Sequence, residues 1–170
     1  MIIFAPTYGG GIFEVPEVGG KATELTTLDT LRREETHRWP NFLPDGRHFT
    51  YLGRSTVDEK TGLFLASLDS KDRALLLPVK SNAVYAAPGY LLFIRERTLM
   101  AQPFNAARNE VQRDAFPIAQ EVGIDNARSF GYFSASTNGI IALGASGGSS
   151  GDRQLAWYDR TGKRLENVGT

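Results

Sequence analysis

The chain has no cysteine and only two histidines in 170 residues. Disulfides, thiol nucleophiles and cysteine-zinc sites are therefore excluded. Net charge is also missing: 19 basic side chains face 19 acidic ones. A non-specific nucleic-acid binder needs an excess of cations against phosphate, so that class is set aside. No apolar run approaches the ~18 residues of a membrane span. The opening Met1-Ile2-Ile3-Phe4-Ala5-Pro6 has no cationic segment and is too short for a signal peptide. The expectation is a chain without membrane insertion, its compartment left open. Helical periodicity is the last absence. No stretch of about 11 residues repeats apolar side chains at i, i+3, i+4 and i+7 without an intervening Gly or Pro. Only two short helical turns are expected, at residues 30–35 and 106–111.

What the chain has instead is punctuation. Its 18 glycines and 8 prolines lie between short β-branched and aromatic runs rather than in one tail, which favours many turns over a disordered linker. The clearest stretch is His37-Arg38-Trp39-Pro40-Asn41-Phe42-Leu43-Pro44-Asp45-Gly46-Arg47-His48-Phe49-Thr50-Tyr51-Leu52. It reads as strand, tight turn, strand. Fainter copies precede and follow it.

Strands are expected at residues 2–6, 12–15 and 22–26; then at 38–43, 49–54, 63–68 and 74–77; then at 83–87, 90–95, 99–104 and 116–120; and finally at 131–136, 140–144, 154–159 and 165–168. Asp45-Gly46, Pro88-Gly89 and Asn138-Gly139 each join a first strand to a second, as dipeptides that tolerate the positive φ of tight hairpins. A period of roughly 40–50 residues with four strands each is the signature of propeller blades, whose apolar faces are buried only by stacking on neighbours. The fold class expected is all-β: a β-propeller-like array of about four four-stranded antiparallel blades, the first incomplete. The units fall near 1–37, 38–81, 82–127 and 128–170. A generic β-sandwich also has short strands at close spacing and stays open as the alternative.

Phe42-Leu43-Pro44-Asp45-Gly46-Arg47 resembles the WD40-like repeat of TolB-type propellers. So does Gly11-Ile12-Phe13-Glu14-Val15 followed by Gly19-Gly20-Lys21-Ala22-Thr23-Glu24-Leu25-Thr26. With Pro88-Gly89-Tyr90-Leu91-Leu92-Phe93 and Ser136-Thr137-Asn138-Gly139, the chain is similar to the propeller that follows the kinase domain in some bacterial serine/threonine kinases. The resemblance implies an interaction platform, in a family whose propellers are often extracytoplasmic and usually carry six or more blades. About four units, with the first lacking its first strand, lead to the expectation that a second copy closes the array as a homodimer or other self-assembly.

Candidate chemistry is sparse. Gly144-Ala145-Ser146-Gly147-Gly148 has the letters of a nucleophile elbow, but Ser149-Ser150-Gly151-Asp152 follows where a helix is required, so it reads as a loop. Gly9-Gly10-Gly11 lacks the Lys-Ser/Thr of a phosphate loop and reads as a hairpin turn. Glu34-Glu35 and Asp58-Glu59-Lys60 read as solvated loops, and Arg95-Glu96-Arg97 as an exposed hairpin blunting a sheet edge. Tyr85, Tyr90, Phe130, Tyr132 and Phe133 are expected between blades or along a channel. His37 and His48 have no metal-ligand spacing and read as polar residues at strand ends. No catalytic residue, metal or cofactor is assigned. The residues nominated for a ligand or protein partner are His37, Arg38, Trp39 and Arg128, near the entries to first strands. The function expected is a non-catalytic binding platform. The alternatives are a propeller-scaffold hydrolase or lyase, and a truncated self-associating module with no activity of its own.

Overall fold

The computed structural model describes residues 1–136 and 138–144 in full, and residues 156–158 and 164–167 as backbone. The chain is all-β, built of several small antiparallel sheets. The first sheet is β1 (Ile2–Phe4), β2 (Phe13–Val15) and β3 (Thr23–Glu24), in that order. The second is a four-stranded meander of β4 (Glu34–Phe42), β5 (His48–Ser55), β6 (Gly62–Ser67) and β7 (Ser70–Leu77). In the third, β8 (Ala83–Ala86), β9 (Tyr90–Arg95) and β10 (Thr98–Asn105) run in order, and β11 (Glu110–Val111) and β12 (Phe116–Ala119) both pair with β10. Three two-stranded ladders follow: β13 (Ile124–Asp125) with β14 (Phe130–Gly131), β15 (Phe133–Ala135) with β16 (Ile141–Leu143), and β17 (Ala156–Tyr158) with β18 (Arg164–Asn167). No helix among the described residues is long and apolar enough to cross a membrane.

Strand alternation sorts the side chains into three cores, each between successive sheets. Ile12 and Leu25 of the first sheet region pack on Phe49, Tyr51, Phe64 and Ala66 of the second. Leu63 and Leu77, with Leu43 and Val79, pack on Leu91, Phe93, Met100 and Phe104 of the third. The opposite face of the third sheet, through Leu92, Ile94, Leu99 and Ala101, packs on Phe133. Odd and even residues of β9 therefore enter different cores, because neighbouring side chains on a strand point to opposite faces. That is why Leu91-Leu92-Phe93-Ile94 is an unbroken apolar run: both faces of this strand are dry.

The turns follow their residues. Gly46 has φ +64°, and the Asp45 carboxylate accepts the Arg47 and His48 N–H groups at 3.0 and 2.9 Å. Asp45-Gly46 thus forms its turn from side-chain chemistry and a left-handed glycine together. Gly139 is likewise left-handed at φ +85°. Pro88-Gly89 departs from this pattern: the Ala87–Pro88 peptide is cis and Gly89 is not left-handed.

Several expectations are corrected. Residues 30–33 form a turn, but Glu34 already begins β4, four residues ahead of the expected start. Glu34 is consequently a buried strand residue and not part of a solvated loop. Of the helical turn expected at 106–111, residues 106–109 form a turn and Glu110–Val111 are strand β11. Glu96 and Arg97, both left-handed at φ +49° and +67°, form the tip between β9 and β10. These two strands lie inside the third sheet, so the charged run caps a central hairpin rather than an edge. The Asp58-Glu59-Lys60 stretch is a single exposed 3-10 turn.

Candidate binding cleft

The irregularity in β4 makes the site. Pairing with β5 slips between Arg38 and Asn41, and inside the slip Trp39 takes φ +55°. A left-handed bulky residue ahead of a proline is disfavoured twice over, by its own Cβ and by the Pro40 ring, at a cost on the order of 1–3 kcal/mol. Specific contacts hold it there. The Trp39 indole Nε1 donates to the Arg128 carbonyl at 3.0 Å, and its ring packs 4.6 Å from that of Phe130.

Arg38, one residue earlier, donates from Nη2 to the Tyr8 carbonyl at 3.0 Å and from Nη1 to the Ala127 and Arg128 carbonyls, both at 3.4 Å. Its guanidinium carbon lies 5.7 Å from the Tyr8 ring centroid. Arg54 on β5 adds a bond to the Ala127 carbonyl at 2.9 Å. Arg128 lies over the same Tyr8 ring at 6.0 Å, reaches the Tyr8 hydroxyl at 3.5 Å, and pairs with Asp125 at 2.5 Å. Burial, followed by the neighbouring Arg54 charge, lowers the pKa of Arg38 from its ordinary value. Backbone bonds between residue 10 and residues 35 and 37 fasten the Tyr8 loop to β4.

These residues enclose a cleft of about 570 Å³ lined by Ala5, Pro6, Thr7, Tyr8, Arg38 and Trp39. Its walls are the Tyr8 and Trp39 rings with Pro6, and Arg38 supplies a cationic group. Tyr8 is 68% exposed, so the aromatic surface is open to a partner. Rigid aromatic and arginine groups around a concavity are the residue types that dominate binding hot spots.

Of the four nominated residues, the structure brings Arg38, Trp39 and Arg128 together and parts His37 from them. His37 is completely buried on the opposite face of β4, as strand alternation requires of a neighbour of Arg38. Its Nδ1 meets the Thr26 hydroxyl at 2.7 Å, and its Nε2 meets the Glu34 carboxylate at 3.0 Å. Arg73 donates to the same carboxylate oxygen at 2.8 Å and to the Tyr51 hydroxyl at 3.3 Å, and it pairs with Asp29 at 3.2 Å. Burial alone would raise the Glu34 pKa. The bonds from His37, Arg73 and the Asp29 N–H outweigh it and lower the carboxyl to about 2. Thr26, Tyr51 and Arg73 border a separate recess of about 250 Å³.

Tyr8, Arg54, Asp125 and Phe130 were not nominated, yet each touches the cleft residues. The one signal available was Tyr8 itself, an aromatic set before three glycines where no core is within reach. His48 sits at the Asp45 turn, paired with that carboxylate at 2.5 Å. Tyr85 and Tyr90 are half-buried, Phe133 is buried in the third core, and Tyr132 is exposed. The elbow-like Ala145-Ser146-Gly147-Gly148 lies outside the described residues. Among the described residues, no group of three or more His, Cys, Asp or Glu side chains could hold a metal ion. No family model, curated protein or solved structure matches this chain.

Proposed function

We propose that the chain is a non-catalytic binding platform of propeller type, related to TolB-like repeats, whose ligand face is the cleft of Tyr8, Arg38 and Trp39. In the parent arrangement suggested by that resemblance, it serves as a sensor or scaffold module linked to a kinase. One observation carries the binding reading. Tyr8, Arg38 and Trp39 line one concavity, Arg54 bonds the same Ala127 carbonyl as Arg38, Arg128 lies over the Tyr8 ring, and the strained Trp39 forms part of the wall. Backbone strain persists where surrounding structure over-determines it, and such places cluster at sites of function. The propeller reading is supported by the order of contacts: β4 touches both β1 and β8, and β8 in turn touches β15. Contacts that pass in series from sheet to sheet through β4 and β8, the first strands of their units, are how blades adjoin.

The test is an NMR fragment screen on the full chain, read at the Trp39 indole N–H and assigned with the Trp157→Phe variant. Fragments carrying an aromatic ring are expected to shift that signal, and Trp39→Leu is expected to abolish their binding as read on the ligand's own resonances. A screen in which nothing moves the Trp39 signal contradicts the proposal.

A hydrolase reading has one observation in its favour, the hydroxyl–imidazole–carboxylate series Thr26–His37–Glu34. Against it, the Thr26 oxygen already accepts the Ile12 N–H at 2.8 Å, and the whole series is buried between two sheets. Incubation with a fluorophosphonate probe separates the readings by intact mass. No adduct is expected on Thr26, and a stoichiometric adduct there would favour the enzyme.

A further inference from the structure

Charge accounting around the cleft leaves two arginines over. Arg128 pairs with Asp125, Lys80 with Asp58, and Arg32 and Arg73 share Glu34. Arg38 and Arg54 have no carboxylate at ion-pair distance among the described residues, although both donate to the Ala127 carbonyl and the Arg54 charge is felt at Arg38. Their acidic neighbours are Glu35, whose charge reaches Arg38, and Asp58, which feels Arg54 but is committed to Lys80. Set against Glu35, the pair retains about one positive charge.

Donor accounting points the same way. A guanidinium offers five N–H bonds in a planar fork. Arg38 directs most of its donors to Thr36, Tyr8, Ala127 and Arg128. Among the described residues Arg54 makes a single bond, to the Ala127 carbonyl, so most of its donors are uncommitted there. Both side chains are half-buried and anchored, so little freedom remains for a ligand to remove.

We infer that the junction of Arg38 and Arg54 recognises a carboxylate, and that the Tyr8–Trp39 cleft beside it takes the aromatic or apolar body bearing that group. This inference rests on the binding-platform reading and names the ligand class. A single residual positive charge matches a monoanion better than a phosphate dianion, and the arginine fork matches the two oxygens of a carboxylate. The carrier is either a free aromatic acid or an Asp or Glu side chain on a protein segment.

The experiment titrates the full chain with phenylacetate, phenylacetamide, phenyl phosphate and the capped dipeptide acetyl-Phe-Asp-amide, following the Trp39 indole N–H signal. Phenylacetate or the dipeptide is expected to bind about tenfold more tightly than the amide, and whichever is tighter identifies the carrier. That preference is expected to shrink as salt rises and to disappear in Arg54→Gln. Arg54→Lys, which keeps the charge without the fork, is expected to retain part of it. Equal binding of acid and amide overturns the carboxylate assignment and leaves the binding cleft standing. Tighter binding of phenyl phosphate overturns it too, as does an Arg54→Gln variant with its preference intact. If none of the four ligands binds, the cleft reading falls with the inference.

Discussion

Glu34 shows what one side chain can do in this fold. Its carboxylate, fully buried, ties the turn at residue 29 to β4 through the Asp29 N–H at 2.8 Å, and β4 to β7 through Arg73. Because its folded pKa is lowered from 4.5 to about 2, the stability it contributes is present above pH 4.5 and is lost as pH falls toward 2. The shift corresponds to about 3 kcal/mol. Chemical denaturation of the wild type from pH 5 to pH 2 is expected to show this decline. Glu34→Gln is expected to be less stable at pH 7 and to lose less over the same range. Subtracting the two profiles removes the contribution of Asp45, a surface carboxylate also lowered to about 2, which both proteins retain. Parallel profiles would contradict the assignment. At this scale the sequence was legible where a residue acts on its own neighbours, as at Asp45-Gly46. Glu34 and His37 were misread because their partners are distant in the chain, Thr26 in the segment after β3 and Arg73 on β7, and no local pattern announces them.

At the scale of elements, β9 contributes to two cores at once. Leu91→Ala and Leu92→Ala remove the same atoms from adjacent residues, and each is expected to cost 2–5 kcal/mol. Their effects should differ in place. Leu91→Ala loosens the junction with the second sheet, and Leu92→Ala the junction with Phe133 of β15. Amide hydrogen exchange is the readout: Leu92→Ala is expected to raise exchange in β15 and β16 and spare β5 and β6. Identical exchange maps for the two variants would refute independent cores. A second element-level constraint is Gly11. A Cβ there would stand 1.8 Å from the Thr26 carbonyl oxygen and 2.9 Å from its carbon. Gly11→Ala therefore has to part β2 from the Thr26 segment, and a loss of about 3 kcal/mol or more is expected in thermal or chemical unfolding. The strands themselves were legible from apolar runs and turn residues. Strands β8, β9, β10 and β12 of the third sheet fall within a residue or so of their expected bounds, and β11 was not expected. The small ladder of β13 and β14 was not foreseen, since two-residue strands carry no periodicity to detect.

At the scale of the molecule, the inner sheets are covered on both faces and the outer ones are not. Ile140, Ile141, Leu143 and Tyr132 around β16 are exposed, as are Met1 and Ile2 at β1. Apolar surface of this kind is characteristic of contact sites. The self-assembly expected from the sequence would place a second copy of the chain over these faces. Analytical ultracentrifugation is expected to find a dimer or larger species that dissociates on dilution, and Ile141→Asp combined with Leu143→Asp is expected to shift it toward monomer. A monodisperse monomer across the concentration range would end the assembly proposal. The all-β class was legible from the short apolar runs and their turn residues, whereas the four-strand period is met in full by the second sheet alone among the described residues. The cleft was not, because its members come from three distant parts of the chain and meet only when the sheets have stacked.

The turn at residues 125–130 has a further consequence, for the timing of synthesis. It supplies the carbonyls that hold Arg38, Arg54 and Trp39, yet it follows Trp39 by some 90 positions along the chain. A nascent chain can form β4 and β5 and stack the first two sheets well before that turn has left the ribosome. The cleft is therefore completed late, and the long-range pairing that completes it is the slow kind. A product released early would keep much of its core and lack its site.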